Sequence, residues 1–284
     1  MQVIQSLAVM REQIDEWRIG GERIVLVPTM GNLHDGHLAL VRHAKSLADR
    51  VVVSIFVNPT QFGVGEDFGS YPRTLQDDCQ ALMAAGAHLV FTPDERTMYP
   101  LGTQGATHIH VPGVSTKLDG KHRPGHFDGV ATVVCRLFAM VAPDVAVFGQ
   151  KDFQQVLVIR QMVRDLSLPI AVATAPTVRA EDGLALSSRN QYLDEHQRLL
   201  APMLFTQLSR IAERLTAGAR DYKALRAEAL ASLEESGFLP DYIAIRDPVT
   251  LKKSQEKDHN WVVLGAATLG RTRLIDNIIA SASL

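Results

Sequence analysis

Cysteine is scarce in this chain: Cys79 and Cys135 are the only two among 284 residues. They stand far apart and match no metal-ligand spacing, so neither a disulfide framework nor a zinc cluster is expected. Aromatic residues are few, at 6%. No apolar run approaches the roughly 20 residues that a membrane span needs. The first residues, Met1 to Ser6, lack the basic start, apolar stretch and small-residue cleavage pattern of a secretory signal. Charge of one sign is missing as well. A formal net charge of −2 gives no electrostatic footprint for nucleic acid. Together these absences predict a reduced, cytoplasmic protein with neither a membrane nor a nucleic-acid partner. The rest is ordinary globular composition, 46% hydrophobic and 21% charged. At 284 residues the chain can form one large domain or two ordinary ones with a substantial core. It shows no internal repeat and no low-complexity tract.

Strand-like and helix-like runs alternate through roughly the first 175 residues. Strands are expected at Ile24–Val27, Val51–Val57, His88–Phe91, Val145–Phe148 and Ile170–Thr174. Most are continuous apolar runs, as in strands covered on both faces. Helices are expected around His37–Ala48, Leu75–Ala85, Gly129–Val141 and Phe153–Leu166. This alternation predicts an α/β fold: a doubly wound parallel sheet whose ligands sit beyond the strand C-terminal ends. Composition shifts after about residue 178. Leu193–Ala217 and Tyr222–Ser236 read as two helices, and Tyr242–Arg246, Trp261–Ala267 and Arg271–Asp276 as short antiparallel strands. The expected division is therefore residues 1–178 and a smaller C-terminal α+β domain, residues 179–284.

The most informative stretch is Pro28-Thr29-Met30-Gly31-Asn32-Leu33-His34-Asp35-Gly36-His37. A strand that turns through glycines into a helix start offers backbone N–H groups and a positive dipole end, which suit phosphate. His34 and His37 add donors that can follow charge as it builds. A pair of surface turn histidines is the bland alternative, and a zinc reading fails because no His-Glu-x-x-His helix is present. Leu186-Ser187-Ser188-Arg189 brings two hydroxyls and a guanidinium together, a compact anion clamp, although Ser-Ser-Arg also serves as an ordinary cap. With His-x-Gly-His it gains weight, since both could grip one triphosphate.

Three further segments follow strands or cluster charge. Gly149-Gln150-Lys151-Asp152 opens a helix; Lys151 can neutralise phosphate and Asp152 can cap the helix or accept from a ribose hydroxyl. Asn58-Pro59-Thr60-Gln61-Phe62 leads into a glycine-rich stretch, residues 63–69, that reads as a movable loop or as plain surface. Lys121-His122-Arg123-Pro124-Gly125-His126-Phe127 is the densest basic cluster, either an anion site or a solvated turn. Asp77 and Asp78 could help to hold Mg²⁺, while adjacent acids early in a helix also answer to the helix dipole.

In this order the five segments, with Asp182 through Asn190 around the Ser-Ser-Arg run, resemble the pantoate–β-alanine ligase (pantothenate synthetase) family of His-x-Gly-His nucleotidylyltransferases. The likeness covers nearly the whole chain. It implies a Rossmann-like domain binding nucleotide and pantoate, a smaller C-terminal domain closing over the ATP site, and a homodimer. Reactants would be Mg²⁺-ATP, pantoate and β-alanine. Family contacts to ATP fall on Met30, Gly31, Asn32, Leu33, His34, Asp35, Gly36 and His37, on Gly149, Gln150, Lys151 and Asp152, on Val178, and on Leu186, Ser187, Ser188 and Arg189. Those to pantoate fall on Gln61 and Gln155. Arg123 and His126 match a loop near the substrate, and the usual general acid falls on His37. Gln150 departs from the glutamate common there; it keeps hydrogen-bonding capacity, so little effect is expected.

The reaction implied is ATP-dependent condensation of pantoate with β-alanine through a pantoyl adenylate. His34, His37, Lys151, Ser187, Ser188 and Arg189 would stabilise phosphate charge. A rival in the same superfamily would transfer a nucleotidyl group to a phosphorylated acceptor. Against it, the amides Gln61 and Gln155 suit a small hydroxy acid better than a phosphate. A rival of another class, a non-catalytic nucleotide-binding protein, leaves the combination of both histidines, Lys151 and Ser-Ser-Arg unexplained.

Overall fold

Branched aliphatic residues fill the central strands of the first half of the chain, where both faces of a sheet must be covered at once. The computed structural model describes residues 1–63 and 65–282. Its elements begin β1 (Gln2–Ile4), α1 (Leu7–Ile19), β2 (Ile24–Thr29), α2 (Asp35–Lys45), β3 (Arg50–Ile55), α3 (Leu75–Ala85), β4 (Leu89–Phe91) and α4 (Glu95–Met98). They continue with α5 (Asp119–His122), α6 (His126–Val141), β5 (Val145–Gly149), α7 (Phe153–Asp165) and β6 (Ala171–Ala175). Last come α8 (Glu195–Leu200), α9 (Met203–Thr216), α10 (Tyr222–Glu235), β7 (Phe238–Arg246), β8 (Asn260–Leu269) and β9 (Thr272–Ser281). Two compact units result. The first comprises Met1–Thr116, Arg123–Gln150 and Gln154–Pro176; the second comprises Lys117–His122, Lys151–Phe153 and the chain from Thr177 onward. Two short segments therefore go with the C-terminal unit, which a single cut at residue 178 leaves out.

In the first unit six parallel strands stand in the order β1-β4-β3-β2-β5-β6. Alternation along each strand sorts side chains between two apolar layers. Ile24, Leu26, Val52, Leu89, Phe91, Ala146 and Phe148 join one layer, with α1, α6 and α7. Val25, Val27, Val51, Val53, Val90, Val145 and Val147 join the other, with α2 and α3. Each buried aliphatic side chain contributes about 1.5–3 kcal/mol, which is why these runs are continuous rather than alternating.

From β2 the chain steps outward through β3 and β4, then returns to the far side of β2 for β5 and β6. The reversal lies between β2 and β5, the place where doubly wound sheets take ligands. Pairing there is short: β2 matches β5 only at Val25 and Leu26, yet runs six residues against β3. Pro28 explains it. Backbone groups alternate sides along a strand. Phe56 N–H donates to the Thr29 carbonyl on the β3 side, and Asp144 N–H to the Ile24 carbonyl on the β5 side. Position 28 therefore faces β5, and proline has no N–H for the next rung.

The second unit carries the antiparallel sheet β7-β8-β9, with α9 and α10 packed on it around Leu208, Ile211, Leu225, Leu233, Ile243, Trp261 and Val263. Several expectations need correction. The helix read over Leu193–Ala217 is two, α8 and α9, because Pro202 between them cannot continue the hydrogen-bond ladder. The strands are longer than expected, and Arg271 belongs to the two-residue turn with Gly270, whose φ is +59. The register of β7 shifts between Pro240 and Tyr242, again where a proline lacks its donor. β1 and α1 are additions: β1 is a three-residue edge strand, and α1 buries Met10, Ile14 and Trp17 at helical spacing.

Candidate active site

The loop between β2 and α2 is held from below by one carboxylate. Gly31 and Asn32 both have positive φ, +81 and +51. The turn they make leaves the Asn32 and Leu33 N–H groups facing one side, a nest for an anion. The occupant is Asp78, from the first turn of α3. Its oxygens accept from Asn32 N–H at 2.9 Å and Leu33 N–H at 2.8 Å, with the Thr74 hydroxyl at 3.2 Å. A Cβ added at Gly31 would lie 3.0 Å from that carboxylate and from Ile55, so the close approach requires glycine.

The loop then enters α2 through an unusual capping box in which both partners are histidine. His34 is the N-cap, and its Nδ1 accepts from Gly36 N–H at 3.1 Å. His37, three residues on, accepts the His34 N–H on its own Nδ1 at 3.4 Å. A ring nitrogen that accepts carries no proton, so each neutral imidazole keeps its proton on Nε2 and is a donor there. The ring centroids stand 4.2 Å apart, tilted by 46°. Backbone groups thus fix both tautomer and orientation.

Gln61 ends a short 3-10 turn, Pro59–Gln61, capped by Asn58. Its amide donates to the Met30 sulfur at 3.1 Å and accepts from the Asn58 amide at 3.1 Å. Asn58 is buried and tied further: Tyr99 Oη donates to it at 2.6 Å, and it donates to the Gly129 carbonyl at 3.2 Å. Gly129 lets α6 approach so closely that an added Cβ would meet the Thr60 carbonyl oxygen at 2.3 Å. Beyond Gln61, Arg123 binds both oxygens of Glu66, at 2.7 and 2.6 Å, and stands 2.9 Å from His126 Nε2. His126 Nδ1 lies 2.7 Å from the Gln61 carbonyl oxygen and donates to it. Burial pushes the Glu66 carboxyl up, but the Arg123 hydrogen bond and charge outweigh it and hold the group below the usual carboxylate range. The stretch read as a movable loop or plain surface is tied at Glu66, and beside it Phe62 packs against Phe68 and Tyr71. Its Val64 lies outside the described residues.

Gly149 ends β5, Gln150 follows it, and half-buried Gln155 sits in α7. The adjacent Gln154 is buried and donates to the Val114 carbonyl at 2.7 Å, so the two neighbours differ in availability. Within the second unit, Lys151 Nζ stands 3.7 Å from Asp152, and its backbone carbonyl accepts from the Asn277 amide at 2.9 Å. Val178 and Leu186 face each other across a tight hairpin, where Leu186 N–H donates to the Val178 carbonyl at 3.0 Å. Ser187 caps the following 3-10 turn, Ser188–Tyr192, by accepting Arg189 N–H at 3.3 Å. Hydroxyls and a guanidinium are thereby presented on a fixed turn.

The profile of the Pantoate-beta-alanine ligase family matches residues 2–279. The chain belongs to that family. Pantothenate synthetase of Pseudomonas aeruginosa (strain UCBPP-PA14) is 55% identical over 278 residues, covering 98% of each protein. A crystal structure of pantothenate synthetase from Thermus thermophilus superposes with a TM-score of 0.91 at 46% identity, covering 98% of this chain and 99% of that one. The pantoate–β-alanine ligase of Francisella tularensis, complexed with β,γ-ATP and β-alanine, gives 0.83 at 33% identity, covering 98% and 97%. Formation of pantothenate is the activity this family membership carries.

Seen as a pantoate–β-alanine ligase, the chain places its expected residues in two groups. The first unit gathers Met30 through His37 with Gln61, Arg123 and His126, and also contains Gly149, Gln150 and Gln155. The second contains Lys151, Asp152, Val178 and Leu186 through Arg189. The two residues of the expected Asp77–Asp78 metal pair differ in setting. Asp77 is exposed, whereas Asp78 is buried with both oxygens committed to the loop. Among the described residues no three His, Cys, Asp or Glu groups come together to hold a metal. The structural roles of Asp78, Asn58, Gly129 and Asn277 have no signal in the sequence. Asp78, Gly129 and Asn277 act through partners distant along the chain, and Asn58 adds to its local cap the distant Tyr99 and Gly129.

Proposed function

We propose that the protein condenses (R)-pantoate with β-alanine at the expense of ATP, through a pantoyl adenylate. A carboxylate oxygen of pantoate attacks the α-phosphorus; the bond to the bridging oxygen breaks and pyrophosphate leaves. The β-alanine amine then attacks the activated carbonyl carbon and loses a proton as AMP departs. The carrying observation is the reciprocal histidine cap, which sets two Nε2–H donors at the head of α2. Such donors stabilise phosphate charge without reorganising when it develops. His34, His37, Lys151, Ser187, Ser188 and Arg189 are assigned this work, with His37 donating its Nε2 hydrogen bond to the leaving pyrophosphate. Met30–His37, Gly149–Asp152, Val178 and Leu186–Arg189 are assigned to ATP, Gln61 and Gln155 to pantoate, and Arg123 with His126 to the substrate side.

No covalent enzyme intermediate is required. Burial pushes both thiols, Cys79 and Cys135, up from the ordinary value, so neither is poised as a nucleophile. Mg²⁺ enters this reading as the counter-ion of ATP, held mainly by phosphate oxygens and water, since no cluster among the described residues supplies ligands. A cytoplasmic homodimer completes the proposal; its support is family likeness. The test follows AMP with ATP and Mg²⁺. Release needing both pantoate and β-alanine is expected; nucleotide binding without turnover would refute the assignment. His37→Ala and Lys151→Ala are each expected to lose about 10²–10³ in adenylate formation with the fold intact. Wild-type pyrophosphate release by both would remove them from the machinery.

A further inference from the structure

The phosphate-binding residues of the second unit are joined through one point on β9. Asp276 and Asn277 are consecutive there, paired in register with Gly265 and Leu264 of the fully flanked strand β8. Successive strand residues leave on opposite faces. Asp276 shares its face with the core residues Leu274 and Ala280, and only 5% of it is exposed. Its carboxylate takes both guanidinium nitrogens of Arg179, at 2.5 and 2.9 Å, and also the Asn277 backbone N–H at 2.7 Å. The Arg179 guanidinium carbon lies over Phe205, 3.7 Å from the ring centre, and the group donates to the Gly183 carbonyl at 3.1 Å. It thereby holds the hairpin that closes between Arg179 and Ala185 and delivers Leu186–Arg189. On the opposite face, the 2% exposed Asn277 donates its amide to the Lys151 carbonyl at 2.9 Å.

We propose that Asn277 is a positioning residue for Lys151, and that β9, through Asp276 and Asn277, sets Lys151 and the Ser187–Arg189 turn in one fixed frame. The lysine backbone stands in a single 3-10 turn, Gln150–Asp152, between the end of β5 and the start of α7, and the Asn277 amide is the side-chain bond to its carbonyl. A side-chain amide from β9, paired along its length with β8, adds a fixed point from outside that turn. Misplacement of a reacting group by about an ångström can lower a rate by about 10²-fold, which is the scale on which such a bond acts. The inference rests on the assignment of Lys151 to phosphate charge.

The experiment is a double-mutant cycle on the full chain, reading pantoate-dependent ATP–pyrophosphate exchange in wild type, Asn277→Ala, Lys151→Ala and the double variant. Asn277→Ala is expected to slow exchange about 10- to 100-fold on its own. In the Lys151→Ala background it should change the rate by less than about twofold, because the group it positions is gone. A residue acting through general stability would multiply its loss in both backgrounds, and that result overturns the proposal. So does wild-type exchange by Asn277→Ala. If Lys151→Ala itself exchanges at the wild-type rate, the functional assignment of Lys151 fails and takes the inference with it. Asn277→Ser, too short to reach the carbonyl, repeats the cycle if the alanine variant does not fold. Loss of the native circular dichroism spectrum in both would make Asn277 a folding residue and overturn the proposal.

Discussion

The two loops proposed to bind phosphate are fixed at different range. At His34–His37 the side chains are fixed by backbone two and three residues away, and only Asp78 reaches in from afar. At Lys151 and Ser187–Arg189 the local cap of Ser187 is joined by Asn277 and Asp276, 126 residues from Lys151 and 97 from Arg179 respectively. A locally capped loop carries its own geometry wherever the helix goes. A loop held by a distant strand has its geometry only when the second unit is folded. The first should tolerate changes elsewhere; the second should report on the state of its sheet.

Removing Asp78 is the largest blow to the first arrangement. Asp78→Ala removes the carboxylate from two part-buried N–H groups and is expected to cost about 3 kcal/mol. Chemical denaturation would read it, together with near-complete loss of adenylate formation. An unchanged denaturation midpoint would show that the nest stands unaided. Gly129→Ala comes next: its Cβ would press on the Thr60 carbonyl, so the turn bearing Gln61 must move, at about 1–3 kcal/mol. KM for pantoate should rise more than KM for ATP. Equal changes would detach Gln61 from pantoate.

The smallest effect concerns Glu66. Its folded-state carboxyl is held below the ordinary value, so its contribution is complete above the unfolded value and fades as pH falls through the folded one. Glu66→Gln should therefore lower stability by no more than about 1 kcal/mol near neutrality. The difference from wild type should vanish in acid, below the ordinary carboxylate range. A difference that grew on acidification would reverse the sign of this argument.

Legibility in the sequence follows the same division by range. His-x-Gly-His can be read because a capping pair lies within one turn, and the β-strands because each buries two faces in one run. The parallel sheet and the antiparallel C-terminal unit are both visible for that reason. Arg123 with His126 is half visible; their spacing is local, but Glu66, which fixes Arg123, lies 57 residues away. Asp77–Asp78 reads as a metal pair because acidic neighbours look alike until one is seen to bind the loop N–H groups. The Leu/Ala periodicity across Pro202 suggests one helix where the missing N–H imposes two. β1 escapes notice because three residues have no periodicity, and its partner β4 lies far along the chain.

Pro28 carries one more consequence. Two parallel strands with open edges gain hydrogen bonds by zipping together, and a cleft between them would be lost if they did so to their ends. A residue unable to donate acts as a permanent chock between β2 and β5, so the crevice survives without anything bound in it. Evolutionary exchange of this proline for a valine would fit the strand's composition and its burial. It would also allow the sheet to mend itself across its own opening.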